Sequence, residues 1–290
     1  MKGIVIGIDG SDSSSAALRW AVEEAELHDW PVTAVLGWGF LDQHHADPDA
    51  PFDPDYAAPA AAEALDAYVE RAVGPERAAR VERRAVCDLA APALIEAAGD
   101  ASLLVVGARG LGGFKGLLLG SVSQQCLHHT TSAIAIVRPR PAPRPSEDTL
   151  EQIVVGVDGS QTSREALRWA AEEARLRQAA LQVIMTWHMP FVAGYPFVSP
   201  NFEPSQFEHD ARKALDELVD GVDTVGIPQV DRILAMGDAA VTLLTASKEA
   251  DLLVVGSRGL GGFAGLLLGS VSHHLAHHAT CSLVIIPPRP

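Results

Sequence analysis

The residues with the most to say about chemistry are glycines. Gly107-x-x-Gly110 is followed after nine residues by Gly120-Ser121, and Gly256-x-x-Gly259 leads at the same spacing to Gly269-Ser270. Glycine tolerates positive φ and lets a backbone approach a ligand closely. A Gly-Ser pair opening a helix presents free amides and the positive end of the helix dipole, which together attract phosphate. The Ser121 hydroxyl could add one neutral hydrogen bond, and Ser270 stands at the same place in the second stretch. Upstream, the runs IVIGIDG and IVVGVDG end on Asp9-Gly10 and Asp158-Gly159. A carboxylate repels phosphate, so the partner expected for either Asp is a donor on a base or ribose. The same residues have a plain structural reading, with the glycines as tight turns and Asp-Gly-Ser and Ser121 as helix caps. Arg109 and Arg258, inside the loops, either meet a phosphate or face solvent. Lys115 is replaced by Ala264 in the second stretch and reads as an exposed loop residue.

Other chemistries lack their residues. No GxxxxGK[ST] phosphate loop is present, GxGxxG fails because Gly113 is followed by Phe114 and Lys115, and no GxSxG elbow occurs. His273, His274, His277 and His278 offer pairs one helical turn apart, but the first copy has Gln124 and Gln125 where the earlier pair stands. A polar helix face is expected there, and no metal site. The three cysteines, Cys87, Cys126 and Cys281, form no CxxC and no paired framework, which fits a reducing cytoplasm. With 22 Lys and Arg against 37 Asp and Glu, the formal charge is −15, so nucleic acid is not expected as a partner. No apolar run is long enough for a membrane span, and the start of the chain carries no secretory pattern.

The elements that position these loops occur twice. Residues 4–10 return at 153–159, an offset of 149, ALRWA recurs at 17–21 and 166–170, and 103–123 match 252–272 at 19 of 21 positions. Between the copies, residues 139–145 read PRPAPRP, a stiff connection lacking amide donors. The domains are therefore placed at 1–145 and 146–290, with the linker at about 139–150. Each half runs through a buried strand (3–8), a helix (13–28) capped by Ser11 or Ser13, a strand (32–38), an Ala-rich helix (57–73), a strand (80–86) and a helix (90–99). The strand 103–107, a helix (121–129) and a last strand (133–137) complete it. Apolar strands alternating with amphipathic helices make a parallel α/β sheet covered on both faces, of Rossmann-like order 3-2-1-4-5. Ligands of such sheets sit beyond the carboxyl ends of the strands, where strands 1 and 4 diverge. The copies differ most at 40–56, rich in Asp and Pro, and at 188–207, with Phe191, Tyr195, Phe197, Phe202 and Phe207. Long loops at a site's rim serve as lids or contact surfaces, and the aromatic one is expected to pack on its own domain or a partner.

The Gly-x2-Gly-x9-Gly-Ser pattern with an Asp after the first strand resembles the ATP-binding class of the universal stress protein family, here in tandem. The resemblance covers nearly the whole chain and implies the fold of adenine nucleotide alpha hydrolase-like domains. It implies adenine and ribose contacts near Gly7, Asp9, Val106 and Gly107, and phosphate contacts at Gly110, Gly120, Ser121 and Val122. In the second copy the corresponding residues are Gly156, Asp158, Val255, Gly256, Gly259, Gly269, Ser270 and Val271. Trp38 and Trp187 stand where the family often has an aliphatic residue beside the base, and a tryptophan there either stacks on adenine or partly blocks it. The cofactor implied is ATP, with any Mg²⁺ arriving through its phosphates.

The expected function is a nucleotide-dependent regulator of stress adaptation and growth. A slow ATPase or phosphotransferase and a nucleotide-free scaffold are the alternatives. No catalytic base or dedicated Mg²⁺ carboxylate is apparent near Gly120-Ser121, so hydrolysis is expected to be slow at most. The strands 133–137 and 283–286 are apolar edges that invite pairing. By resemblance the copies form a pseudo-dimer within the chain, with further homodimerisation of whole chains.

Overall fold

The computed structural model describes residues 3–39, 58–111, 118–139, 150–188, 204–261 and 268–288. The loop 40–56, Lys115, Ala264, Phe191, Tyr195, Phe197, Phe202 and all but the ends of the linker lie outside them. The chain divides into two compact units, residues 1–143 with 276–287, and 144–275 with 288–290.

Apart from the charged edge strand 81–86, the strands of unit 1 lack polar alternation because helices cover both faces of their sheet. The elements are β1 (Ile4–Gly7), α1 (Asp12–His28), β2 (Val32–Gly37), α2 (Ala58–Ala78), β3 (Val81–Val86), α3 (Ala90–Ala97), β4 (Leu103–Gly107), α4 (Ser121–His129) and β5 (Ala133–Val137). Parallel pairing gives β3-β2-β1-β4-β5, with Ile4 opposite both Val32 and Leu103. Ile4, Ile6, Leu103 and Leu104 are almost wholly shielded from water. At about 1.5–3 kcal/mol for each large apolar side chain buried, this central ladder anchors the carboxyl ends on which the loops sit. Ser11 begins α1 by accepting the Ser14 amide at 3.1 Å, and Asp29 ends it in the left-handed region.

Unit 2 repeats the pattern with β6 (Gln152–Val157), α5 (Gln161–Arg177), β7 (Ala180–Trp187), α6 (Pro204–Asp220), β8 (Gln229–Met236), α7 (Ala239–Ala246), β9 (Leu252–Gly256) and the start of α8 (Ser270–His278). Its parallel order is β9-β6-β7-β8. The last strand of the second repeat, β10 (Ser282–Ile286), groups with unit 1. There it runs antiparallel to β5, with Val284 opposite Ala135. Every residue of β10 is buried, so the apolar edge of β5 is covered. No helix among the described residues is long and apolar enough to cross a membrane.

Two features escape a reading by periodicity. Glu24 of α1 and Glu173 of α5, at matching places in the repeats, are fully buried. Each is paired one turn on, Glu24 with His28 at 3.3 Å and Glu173 with Arg177, as a buried carboxylate requires. The second feature is the break in α2 at Gly74 (φ 77°, ψ 162°), beside Pro75. This is where the Ala-rich helix was expected to stop, and a further helical turn follows. Among the described residues a Cβ at Gly74 would meet no atom within 4 Å, so backbone conformation is what demands glycine there. Gly74→Ala should therefore cost about 1–3 kcal/mol despite the open space. Urea unfolding measures this, and no loss would mean that α2 does not break there.

Candidate functional site

At the end of β1, Ile8 still donates to Val35 of β2 (2.9 Å), and the chain then turns through Asp9 and Gly10 into α1. Gly10 has φ +82° and its counterpart Gly159 +86°, a conformation that other residues rarely adopt. The turn aims the Asp9 carboxylate across the crevice between β1 and β4. Its Oδ1 accepts from the Ser11 amide (3.0 Å) and hydroxyl (2.6 Å), while Oδ2 accepts from the amide of Leu111, 102 residues away, at 3.1 Å. Asp158 does the same, taking the Ser160 amide at 3.0 Å and the Leu260 amide at 2.8 Å. A carboxylate thus clasps each Gly-x-x-Gly loop to the strand beside it. Partial burial would push the Asp158 carboxyl up. The hydrogen bonds from Ser160, the Leu260 amide and Ser163 outweigh it and hold the group below its ordinary value.

The glycines divide by what surrounds them. A Cβ at Gly7 would strike Leu94 at 2.8 Å, and one at Gly156 would strike Leu243 at 2.7 Å. At Gly107 it would meet Ser13 at 2.6 Å, and at Gly256 Thr162 at 2.8 Å. At Gly110 and Gly259 it would run into Oδ2 of Asp9 and Asp158. These glycines are accounted for by packing and by the clasp. Gly120 is different. Its φ of −74° is ordinary, and among the described residues the nearest atom to a Cβ would lie at 3.5 Å. Gly269 is tighter, since a Cβ there would press on the Ser257 carbonyl oxygen at 3.3 Å. Gly120 donates to Ala108 (2.8 Å) and Gly269 to Ser257 (2.7 Å). Gly120 is the N-cap of α4 and supplies no side chain to its first-turn amides. Among the described residues, no side chain at the cap stands over those amides.

The remaining sequence candidates fall around this frame. Ser121 and Ser270 are exposed at the starts of α4 and α8, with Val122 and Val271 half-buried after them. The side chains of Val106 and Val255 are buried in the sheet, so only their backbone can reach a ligand. Trp38, half-buried at the end of β2, donates its amide to Val86 (2.8 Å), and Trp187 accepts from the Gly237 amide (3.1 Å). Arg109 is exposed and its amide reaches the Ser13 hydroxyl at 3.3 Å. In unit 2 the Arg258 carbonyl is engaged, by the hydroxyls of Ser160 and Thr162. The loops are thus bonded oppositely despite near-identical sequence. His273, His274 and His278 lie on the exposed face of α8. Sequence reasoning passed over Ser123 and Ser272, whose hydroxyls donate to the carbonyls of Gly107 and Gly256, both at 2.7 Å. Their signal was the repeated GSVS, in which the second serine is the structural one.

Fold and site define a duplicated Rossmann-like α/β protein, with a glycine loop and an open helix start in each repeat. A model described as the universal stress protein family matches residues 1–138 and again 149–287. A universal stress protein of Mycolicibacterium smegmatis is 32% identical over 99% of this chain and 97% of its own length. One of Mycobacterium tuberculosis is also 32% identical, over 98% of this chain and 95% of its own. Among solved structures, a universal stress protein of Archaeoglobus fulgidus superposes with a TM-score of 0.63 at 18% identity, covering 98% of both chains. The chain belongs to the universal stress protein family.

A carboxyl held below its ordinary value in the folded state lends stability above that value and loses it as the pH falls through the folded one. Asp158→Asn should lower stability at neutral pH and flatten its decline below about pH 4. Unfolding midpoints between about pH 7 and pH 3 test this. An acid limb unchanged by the substitution would mean that the Ser160 and Leu260 bonds contribute nothing in solution.

Proposed function

We propose that each repeat binds one ATP, and that the protein is a nucleotide-dependent regulator of stress adaptation and growth in the cytoplasm. The observation that carries this reading is the helix start at Gly120, where neither backbone conformation nor packing among the described residues calls for glycine, with Gly269 at the same place in the second repeat. Phosphates would accept from the first-turn amides of α4 and α8, with Ser121 and Ser270 adding hydroxyls and Arg109 and Arg258 at the rim. In a chain of charge −15, amides and a helix dipole supply the attraction that net charge withholds. Oδ2 of Asp9 and of Asp158 has two lone pairs and accepts one amide, which leaves capacity for a ribose hydroxyl beside the clasp. Trp38 and Trp187 would border the base. Mg²⁺ would come with the phosphates. The antiparallel pairing of β5 with β10 supports a pseudo-dimer of the repeats, to which a homodimer of whole chains would be a further level.

Denaturing gently purified protein and chromatographing the released small molecules should yield about two adenine nucleotides per chain. Gly120→Val should weaken ATP binding at one site about a hundred-fold or more, ~3 kcal/mol, at little cost to the fold. Gly269→Val should do so at the other. Calorimetric affinities that both variants leave unchanged would refute the phosphate seat. Turnover should stay far below the ~1–10³ s⁻¹ of ordinary enzymes. Fast, saturable hydrolysis that survives purification would make the protein an enzyme instead.

A further inference from the structure

The two glycine loops part company at one peptide group. In unit 2 the carbonyl of Arg258 accepts from the hydroxyl of Thr162 and, at 3.3 Å, from that of Ser160. Thr162 is buried, and its hydroxyl oxygen stands against the root of the loop, 2.8 Å from where a Cβ of Gly256 would be. In unit 1 Ser13 holds the same place against Gly107, but its hydroxyl accepts the Arg109 amide at 3.3 Å. The Ser11 hydroxyl donates to Asp9. The Arg109 carbonyl has no hydrogen-bond partner among the described residues.

A trans peptide points its N–H opposite to its C=O. With the Arg258 carbonyl drawn onto the start of α5, the Gly259 amide that shares its peptide faces away from that helix. Its nitrogen lies 3.8 Å from where a Cβ of Gly269 would stand. Gly269 immediately precedes α8, and a side chain at such a position is the one that reaches first-turn amides. Gly259 is exposed, and its N–H has no hydrogen-bond partner among the described residues. It is a donor beside the first turn of α8, kept in one orientation by two hydroxyls on the far side of its peptide.

We propose that Thr162, with Ser160, presets the Gly259 amide as a phosphate donor, so that the second repeat binds ATP more tightly than the first. This rests on the nucleotide reading above and adds to it a positioning residue and an inequality between the sites. Thr162 acts through the peptide and does not itself contact phosphate. The corresponding Arg109–Gly110 peptide, whose carbonyl is held by no hydroxyl, has to be ordered when phosphate arrives, and that ordering lowers affinity. The methyl group of Thr162 restricts its χ1 rotation, whereas Ser13 lacks that restriction.

The test uses the full chain with one site closed at a time, titrated calorimetrically with ATP and with adenosine, which carries no phosphate. With Gly120→Val closing the first site, Thr162→Val should weaken ATP about ten-fold and leave adenosine unchanged, while Thr162→Ser should recover part of the loss. With Gly269→Val closing the second, Ser13→Thr should tighten ATP, a gain that a merely structural role would not produce. Should Thr162→Val fail to fold, the Ser13→Thr chain decides alone. Equal losses for ATP and adenosine, no loss, or a Ser13→Thr chain no tighter than its parent would overturn the proposal. Wild-type protein that binds no adenine nucleotide would overturn the site itself along with it, so the two failures are distinct.

Discussion

A carboxylate at the end of one strand holding an amide just past the end of its neighbour is the contact around which each repeat is arranged. Asp9 can reach Leu111 only because β1 and β4 are adjacent and parallel, and because Gly10 turns the chain with a positive φ. It needs Gly110 to carry no Cβ, and Ser11 both to steady the carboxylate and to begin α1. Asp158, Leu260, Gly159, Gly259 and Ser160 meet the same conditions in the second repeat. Several residues that a motif would assign to a ligand are therefore obliged to be what they are before any ligand arrives.

That obligation sharpens the reading of the rest. Once glycines at 7, 107 and 110 are explained by Leu94, Ser13 and Asp9, the glycine at 120 remains unexplained by packing among the described residues. A residue kept small where the fold does not require it marks a surface kept clear. The first turn of α4 is also tied back to β4 through Ser123, so its amides are held in place in advance. Binding by such amides needs no large rearrangement and little of the ordering entropy that flexible side chains would lose.

Much of this was legible in the chain itself. The duplication, the parallel sheet and the switch point follow from apolar runs and glycine spacing, which are local patterns. The break of α2 was visible at Gly74-Pro75, though the turn beyond it was not. The clasp was hidden, since it joins residues 102 apart and only the fold makes them neighbours. Gly110 shows the same limit, because one spacing served both a ligand and an aspartate. The opposite bonding of Arg109 and Arg258 turns on Ser13 against Thr162, a single methyl group that carries no pattern. The pairing of β5 with β10 was legible in their apolar edges, whereas the grouping of β10 with unit 1 is not something sequence order can express.

The antiparallel pairing of β5 with β10 joins strands from the two repeats on one polypeptide. Between separate chains, such a pairing would dissolve on dilution and would oblige both partners to carry the same sequence. Within one chain its effective concentration is set by the connection and does not follow protein abundance. The halves are then released from symmetry, and each can drift in its own direction while the pairing holds. Tyr68 packed over Gly10, against no described atom at Gly159, and Arg138 against Pro287, are records of that drift. A single gene can in this way keep two unequal halves at a fixed one-to-one ratio, whatever the level of its expression.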